Sequence, residues 1–134
     1  MNDPKSNTTS TIALAFLGDA VYELFVREKV MQAGLGASSH ADRLHKAAVA
    51  YVRASSQALA IKELFDSLTE EEQALVKRAR NHKIATKPKN ADAACYKWAT
   101  AFEALIGWLW LDGNKERAQL LMQQAAEIIE KGDE

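Results

Sequence analysis

Two acidic side chains lie within helical segments that are largely apolar. Asp19 directly follows Gly18 in a segment rich in Leu, Val and Phe, and Glu103 lies in a second such segment that contains Gly107. A carboxylate among core-type residues lies either at the edge of a buried stripe or in a site that needs its charge. Two such acids that converge would repel each other unless a cation lies between them. Because Mg²⁺ prefers oxygen ligands, the pair would form a magnesium site if the two helices meet.

A basic run marks a third segment in which chemistry is expected. It extends over 77–89 and consists of Lys77, Arg78, Arg80, Lys83, Lys87 and Lys89. Such a run is often no more than a solvated face. In this chain it closes one helical segment and fills the following loop, where an irregular backbone can follow nucleic-acid phosphates. The formal net charge of −1 does not by itself indicate a nucleic-acid binder, so this inference depends on how the charges are distributed.

The elements that must position these residues are all expected to be helices. Apolar residues at spacings of three and four predict helices over about 10–32, from Ser38 or Ser39 to about 52, 56–66, 70–81, 92–112 and 114–131. The run 52–56 is expected to bend or break the second helix, and Thr69 with Glu72 forms a capping box before the fourth. No segment alternates with period two, so the sequence predicts an all-α fold without a sheet.

Length and composition favour one domain that spans residues 1–134, with 1–8 flexible. Cys95 is the single cysteine and cannot form an internal disulfide, which suits a reducing compartment. No signal peptide is visible, and no uncharged apolar run approaches the ~20 residues of a membrane span. We therefore expect a cytoplasmic protein without a membrane partner.

Four segments, taken together and in order, resemble the catalytic domain of the ribonuclease III family. LAFLGDAVYE, which contains Asp19, resembles its signature motif, and FEALIGWLWLD, which contains Glu103, resembles its second acidic helix. Residues 44–46 and 52–58 resemble the middle motif of the small Mini-III branch, and 77–81 with 86–92 resemble its basic loop. The chain also stops at about the point where a longer ribonuclease III would begin its double-stranded-RNA-binding domain.

The resemblance implies a Mg²⁺-dependent endoribonuclease with a ribonuclease III-like helical fold that works as a two-fold homodimer. It implies Asp19 and Glu103 as the catalytic and metal-binding acids, and Phe16 as a residue of the dimer interface. The implied substrate is structured double-stranded RNA, in particular precursor large-subunit (23S) ribosomal RNA, and the products carry 5′-phosphate and 3′-hydroxyl ends. A ribosomal protein that presents the substrate is a further partner to be considered. The residues expected to contact RNA are Lys46, Arg53, Gln57, Arg78, Arg80, Asn81, Lys83, Lys87, Lys89 and Asn90.

Departures from the longer family members leave alternatives open. Those proteins carry further acids at the positions that align with Ile12, Ala15 and Thr100, and this chain has none of them. A catalytically inactive relative that binds duplex RNA or a ribosomal partner is one alternative, although retention of both Asp19 and Glu103 argues against it. A helical interaction module without a role in RNA metabolism is another, and it leaves the basic loop unexplained.

Overall fold

The computed structural model describes residues 10–34, 40–82 and 93–132, and every regular element in these ranges is helical. The elements are α1 (Thr11–Gln32), α2 (Ala41–Val52), α3 (Ala54–Leu64), a 3-10 turn (Phe65–Ser67), α4 (Glu70–Arg80), α5 (Ala93–Leu111) and α6 (Lys115–Gly132). The prediction of an all-α fold is therefore confirmed. The predicted flexible segment 1–8 and nearly all of the loop predicted between the helices 70–81 and 92–112 lie outside the described residues.

Helix α5 is the central element of the domain and packs against α1, α3, α4 and α6. It can pack on several sides because its sequence is apolar around most of its circumference and contains both large and small residues. Its buried residues are Ala99, Ala101, Phe102, Ala104, Leu105, Ile106, Gly107 and Leu109. Burial of this much apolar surface provides most of the stabilisation expected for a domain of this size. Glu103 therefore lies on the central helix, α5, and Asp19 lies on α1, which packs against it.

The ends of α1 and the start of α6 follow signals in the sequence, whereas α2 begins after His40 rather than at the predicted Ser38 or Ser39. The Ser10 side chain accepts a hydrogen bond from the Ala13 N–H at 3.1 Å and starts α1. Gly34, with φ of +91°, follows its end, and Gly113, with φ of +82°, turns the chain before α6. A left-handed backbone of this kind favours glycine. The start and the end of α1 and the turn at Gly113 thus agree with the sequence prediction.

The helical backbone is interrupted between α2 and α3 at Arg53, which has an extended conformation with ψ of 150°. Side chains that follow the break satisfy carbonyl groups at the end of α2. Ser56 Oγ donates to the Ala50 carbonyl at 2.7 Å, and Gln57 Nε2 donates to the Val52 carbonyl at 2.7 Å. The predicted break over 52–56 is confirmed, although α3 begins at Ala54 rather than at 56 because these side-chain bonds allow an immediate restart.

The predicted capping box at the start of α4 is present, with both of its reciprocal bonds formed between Thr69 and Glu72. Glu72 also accepts two hydrogen bonds of 2.9 Å from the Arg117 guanidinium, on α6. The capping pattern in the sequence explains why Glu72 begins a helix but gives no sign of this partner, which is 45 residues away. The ion pair joins the start of α4 to the start of α6.

Helices long and apolar enough to cross a lipid bilayer are absent from the described ranges.

Candidate active site

The main chains of α1 and α5 touch where two glycines meet. A Cβ atom on Gly18 would overlap the main-chain carbonyl of Glu103 and would lie 2.9 Å from the Gly107 nitrogen. Any side chain at position 18 would therefore force the helices apart. Because Asp19 directly follows this contact and Glu103 takes part in it, the crossing brings the two acids to neighbouring positions. This close approach explains why each helix contains a glycine, a residue that lowers helix stability.

Asp19 and Glu103 line the same groove, which has a volume of about 360 Å³. The sequence prediction that the two acids converge is consistent with this placement. Further walls of the groove come from α1, from the end of α4 and from α5. They include Ala15, Phe16, His82, Tyr96, Lys97 and Thr100. The groove therefore joins both acids to the end of the helix that begins the basic run.

The pKa of Glu103 is raised to about 7, mainly because burial disfavours its charged form. The negative charge of Asp19 raises this pKa further, and so does a hydrogen bond between the two side chains. Within the described residues, no Lys or Arg forms an ion pair with either acid. A cation bound in the groove would therefore relieve a repulsion that the surrounding protein leaves in place.

Gln57 is a direct partner of Glu103 that the sequence did not identify in this role. Its side chain is 3% exposed, and Nε2 donates to Glu103 Oε2 at 3.3 Å as well as to the Val52 carbonyl. The prediction that Gln57 lies on an RNA-binding surface is wrong, because the side chain is buried. The available signal was a lone amide within the apolar run of α3, at a position where core-facing residues are expected.

The donor set suits a divalent ion that keeps several of its own waters. The described residues contain no group of three or more His, Cys, Asp or Glu side chains that could enclose a metal. At the positions where longer relatives carry acids, Ala15 is buried and the Thr100 hydroxyl donates to the Tyr96 carbonyl at 2.9 Å. Two carboxylates and water are a common coordination for Mg²⁺, which gives up its hydration shell reluctantly. Asp19 and Glu103 therefore fit hydrated Mg²⁺ better than an ion that requires a full protein cage.

The structure separates the expected RNA-binding residues into three groups. Arg78 and Asn81 are exposed at the end of α4, next to the groove. Arg80 is half-buried, because its guanidinium stacks over the Trp98 ring at 4.9 Å from the centroid. Lys46 and Arg53 are exposed on α2 and at the break that follows it. A third group lies outside the described residues and consists of Lys83, Lys87, Lys89 and Asn90.

Phe16, the residue expected at a dimer interface, is 83% exposed on α1 beside the acid pair. So exposed a large aromatic side chain is unusual for a residue of a domain core. On the same helix, Arg27 Nε lies 3.4 Å from Glu23 Oε2, an i,i+4 ion pair on the exposed side of the helix.

Comparison with known proteins agrees with the fold. The Ribonuclease III domain model matches residues 12–114, and the chain belongs to the ribonuclease III family. It is 45% identical over 125 residues to the Mini-ribonuclease 3 of Symbiobacterium thermophilum, an alignment that covers 93% of this chain and 94% of that protein. It is 48% identical over 124 residues to the Mini-ribonuclease 3 of Brevibacillus brevis, covering 92% and 90% of the two chains.

A solved structure supports the same assignment. The crystal structure of a protein from Fusobacterium nucleatum superposes with a TM-score of 0.76 at 36% identity and covers 93% of this chain and 94% of that one. The chain is thus an endoribonuclease of the Mini-III type that acts on RNA. Members of the ribonuclease III family generally depend on a divalent metal ion.

Proposed function

We propose that this protein is a Mg²⁺-dependent endoribonuclease that cleaves structured double-stranded RNA and leaves 5′-phosphate and 3′-hydroxyl ends. The observation that carries the proposal is the placement of Asp19 and Glu103 in one groove, with no basic residue of the described chain paired to either. A carboxylate such as Glu103, whose ionisation is opposed by burial and by the charge of a second carboxylate, suits a cation site rather than a structural ion pair.

The residues of the chain would divide the work of hydrolysis between them. Asp19 and Glu103 would hold the metal ion through their oxygens and fix its place in the groove. The chemistry that bound Mg²⁺ supplies is activation of a water and neutralisation of charge on the displaced phosphate. Glu103 must be ionised to act as a ligand, and the hydrogen bond from Gln57 Nε2 favours that form. The apolar neighbours of Glu103 restrict bulk water on its buried side.

Recognition of RNA would begin at the end of α4. Arg78 is exposed there, while Arg80 and Lys77 are oriented by the rings of Trp98 and Phe65, at 4.9 and 5.7 Å from the ring centroids. Phosphates and 2′-hydroxyls across the minor groove of A-form RNA are within the reach of such cations, so we expect binding to read shape more than sequence. The same basic run continues in sequence with Lys83, Lys87 and Lys89, and Asn90 follows it. Lys46 and Arg53 would extend this surface.

A homodimer would place two such sites on one duplex, as cleavage of both strands requires. The support is an exposed apolar face on α1 that includes Phe16 (83% exposed), Leu24 (58%) and Met31 (60%). Their spacing places these side chains along one side of the helix. Large apolar side chains exposed along one side of a helix often belong to an interaction site. A second copy of the chain is the occupant we propose, with Phe16 inserted into the partner subunit.

The natural substrate that we propose is the paired stem of precursor large-subunit (23S) ribosomal RNA, in the cytoplasm. Support comes from the similarity to Mini-ribonuclease 3 proteins over 92–93% of the chain. We propose that residues 1–134 form one catalytic domain. A ribosomal protein that presents the substrate would increase cleavage without contributing an acid to the groove.

The test is incubation of the purified protein with a structured duplex RNA, in Mg²⁺ or in chelator, followed by mapping of the product ends. We expect cleavage in Mg²⁺ only, with 5′-phosphate ends. Asp19→Asn and Glu103→Gln should each abolish cleavage and leave folding and RNA binding largely intact. Duplex binding without any Mg²⁺-dependent cleavage would instead favour a catalytically inactive relative, and a variant that still cleaves at a substantial rate would remove its residue from the mechanism.

A further inference from the structure

We propose that Gln57 is a positioning residue that holds the Glu103 carboxylate in the orientation that binds a divalent metal ion. The inference rests on the proposed function and assigns to this chain a determinant of metal affinity outside the two acids themselves. Three observations carry it: the two hydrogen bonds of the Gln57 amide nitrogen, the burial of its side chain, and the orphaned amide oxygen.

The first observation fixes which way the amide points. Gln57 Nε2 lies 2.7 Å from the Val52 carbonyl oxygen, which can only accept a hydrogen bond. A flipped amide would bring two acceptor oxygens together, so the nitrogen must face Val52. The same nitrogen lies 3.3 Å from Glu103 Oε2, a hydrogen bond at the long end of the usual range. The amide therefore donates to both groups with its two N–H bonds.

The second observation makes this orientation stiff. Gln57 is 3% exposed and lies in the first turns of α3, directly after the break at Arg53. Its bond to Val52 satisfies a carbonyl at the end of α2, which that helix leaves without an internal partner. Rotation of the amide away from Glu103 would therefore also expose an unsatisfied carbonyl. With Oε2 of Glu103 engaged in this way, the other carboxylate oxygen remains for a metal ion in the groove.

The third observation shows that packing alone does not explain a glutamine here. Gln57 Oε1 is buried and has no hydrogen-bond partner. Among the described residues it is the one buried side-chain nitrogen or oxygen atom without a partner. An unsatisfied buried acceptor carries a free-energy cost that an apolar side chain of similar shape would avoid. Such costs persist at sites where function requires the group. The function that the contacts indicate is the donation of a hydrogen bond to a metal ligand, as is usual around protein metal sites.

Gln57→Met tests this, because it keeps the length of the side chain and removes its donors. Gln73→Met is the matched control: Gln73 Nε2 also donates to a main-chain carbonyl, that of Phe65, at 2.8 Å, and Gln73 is not a partner of either acid. Each variant is titrated with Mn²⁺ alone, and the free ion is measured by electron paramagnetic resonance. The Mg²⁺ concentration for half-maximal cleavage and the affinity for duplex RNA in chelator are measured in parallel.

We expect Gln57→Met to weaken Mn²⁺ binding and raise the required Mg²⁺ concentration by ~10-fold or more, the range seen when partners of metal ligands are removed. Its RNA affinity in chelator should stay within about twofold of the unsubstituted chain. Gln73→Met should leave both metal measurements unchanged, whatever it does to thermal stability. Equal metal responses of the two variants, or a loss confined to stability, would overturn the proposal.

A measurement on the unsubstituted protein keeps the proposal testable if Gln57→Met does not fold. The side-chain amide resonances of Gln57 and Gln73 are followed by ¹⁵N NMR during a Mg²⁺ titration. The Gln57 resonances should shift, since their acceptor becomes a metal ligand, and those of Gln73 should not. A Gln57 amide that does not respond to saturating Mg²⁺ would contradict the proposal.

Failure of this inference can be told apart from failure of the proposed function. If Gln57→Met binds Mn²⁺ normally while Asp19→Asn abolishes cleavage, Gln57 has no positioning role and the nuclease assignment stands. If the unsubstituted chain never cleaves duplex RNA but its Gln57 amide responds to Mg²⁺, the positioning role stands and the nuclease assignment fails.

Discussion

Gly18 and Gly107 face each other across the contact between α1 and α5. At each of the two positions, the backbone of the opposite helix leaves no room for a side chain. A Cβ on Gly107 would overlap the Leu14 carbonyl and lie 3.0 Å from the Gly18 nitrogen, just as a Cβ on Gly18 would lie 2.9 Å from the Gly107 nitrogen. The contact is reciprocal, and it sets the separation of the helices that carry Asp19 and Glu103.

Gly18→Ala is expected to lower the free energy of unfolding by ~2 kcal/mol or more, because the clash is with main-chain atoms that cannot rotate away. Cleavage should fall as well, since the acids are moved apart. The measurement is urea unfolding together with the cleavage rate. Gly132→Ala is the control, because only the flexible Leu59 side chain approaches that position, at 3.2 Å. Equal stability of Gly18→Ala and the unsubstituted chain would contradict the close contact.

The raised pKa of Glu103, about 7, predicts how stability without metal depends on pH. The folded state holds this proton more tightly than the unfolded chain does. The free energy of unfolding should therefore fall as pH rises from about 4.5 to about 7, with a slope of at most ~1.4 kcal/mol per pH unit from this group. Urea unfolding in chelator at several pH values measures it. Glu103→Gln should remove this component, and an unchanged profile in that variant would be evidence against it.

The rate of metal-dependent cleavage should rise with pH, whereas the free energy of unfolding falls. Protonation removes the charge of Glu103, so the rate at limiting Mg²⁺ should decrease as the pH falls below about 7. Saturating Mg²⁺ should shift this decrease to lower pH, because the ion competes with the proton. The measurement is the cleavage rate against pH at two Mg²⁺ concentrations. Coincident profiles would mean that Glu103 does not bind the ion.

Arg117→Met should destabilise the fold without affecting the site. It leaves the Glu72 carboxylate, 4% exposed, without its cationic partner, a change that typically costs about 3–5 kcal/mol. Arg27→Met is the control, since its partner Glu23 is more exposed and its loss should cost at most ~1 kcal/mol. Thermal unfolding compares the two. At a temperature where Arg117→Met is folded, its Mg²⁺ requirement should equal that of the unsubstituted chain; a changed requirement would link Glu72 to the site.

Phe16→Glu should convert the proposed dimer into monomers at micromolar concentration. A charge at a position that is buried between two copies would be costly, whereas on a free surface it would not be. Sedimentation velocity gives the mass. Leu120→Glu, at a 47% exposed apolar residue of α6, provides the control and should leave the mass unchanged. A monomeric unsubstituted chain would refute the proposed dimer.

Arg78→Ala should reduce the slope of log affinity against log salt by about 1, if Arg78 contacts one RNA phosphate. Filter binding to a duplex in chelator, over a range of salt concentrations, measures the slope. Lys131→Ala, at the end of α6, is the control and should leave it unchanged. An affinity for duplex RNA that is independent of salt would contradict the proposed basic surface.

Local patterns in the sequence predict the helices and most of their ends, because caps, turns and apolar spacing act over a few residues. Ser10, the box of Thr69 with Glu72, and Gly113 are such signals, and each has the predicted structure. The sequence also singled out Asp19 and Glu103 as acids within apolar helices, next to glycines whose cost had to be compensated by a close contact.

Contacts between residues that are distant along the chain could not be predicted, because they form only when the helices pack together. The resemblance to the middle motif assigns Gln57 to the RNA-binding surface, whereas in the structure its buried side chain donates to Glu103, which is 46 positions away. The bond between Glu72 and Arg117 was missed for the same reason. Side-chain partners across helices depend on crossing angle and depth of burial, which no local pattern encodes, and these contacts set both the charge state of Glu103 and the orientation of its carboxylate.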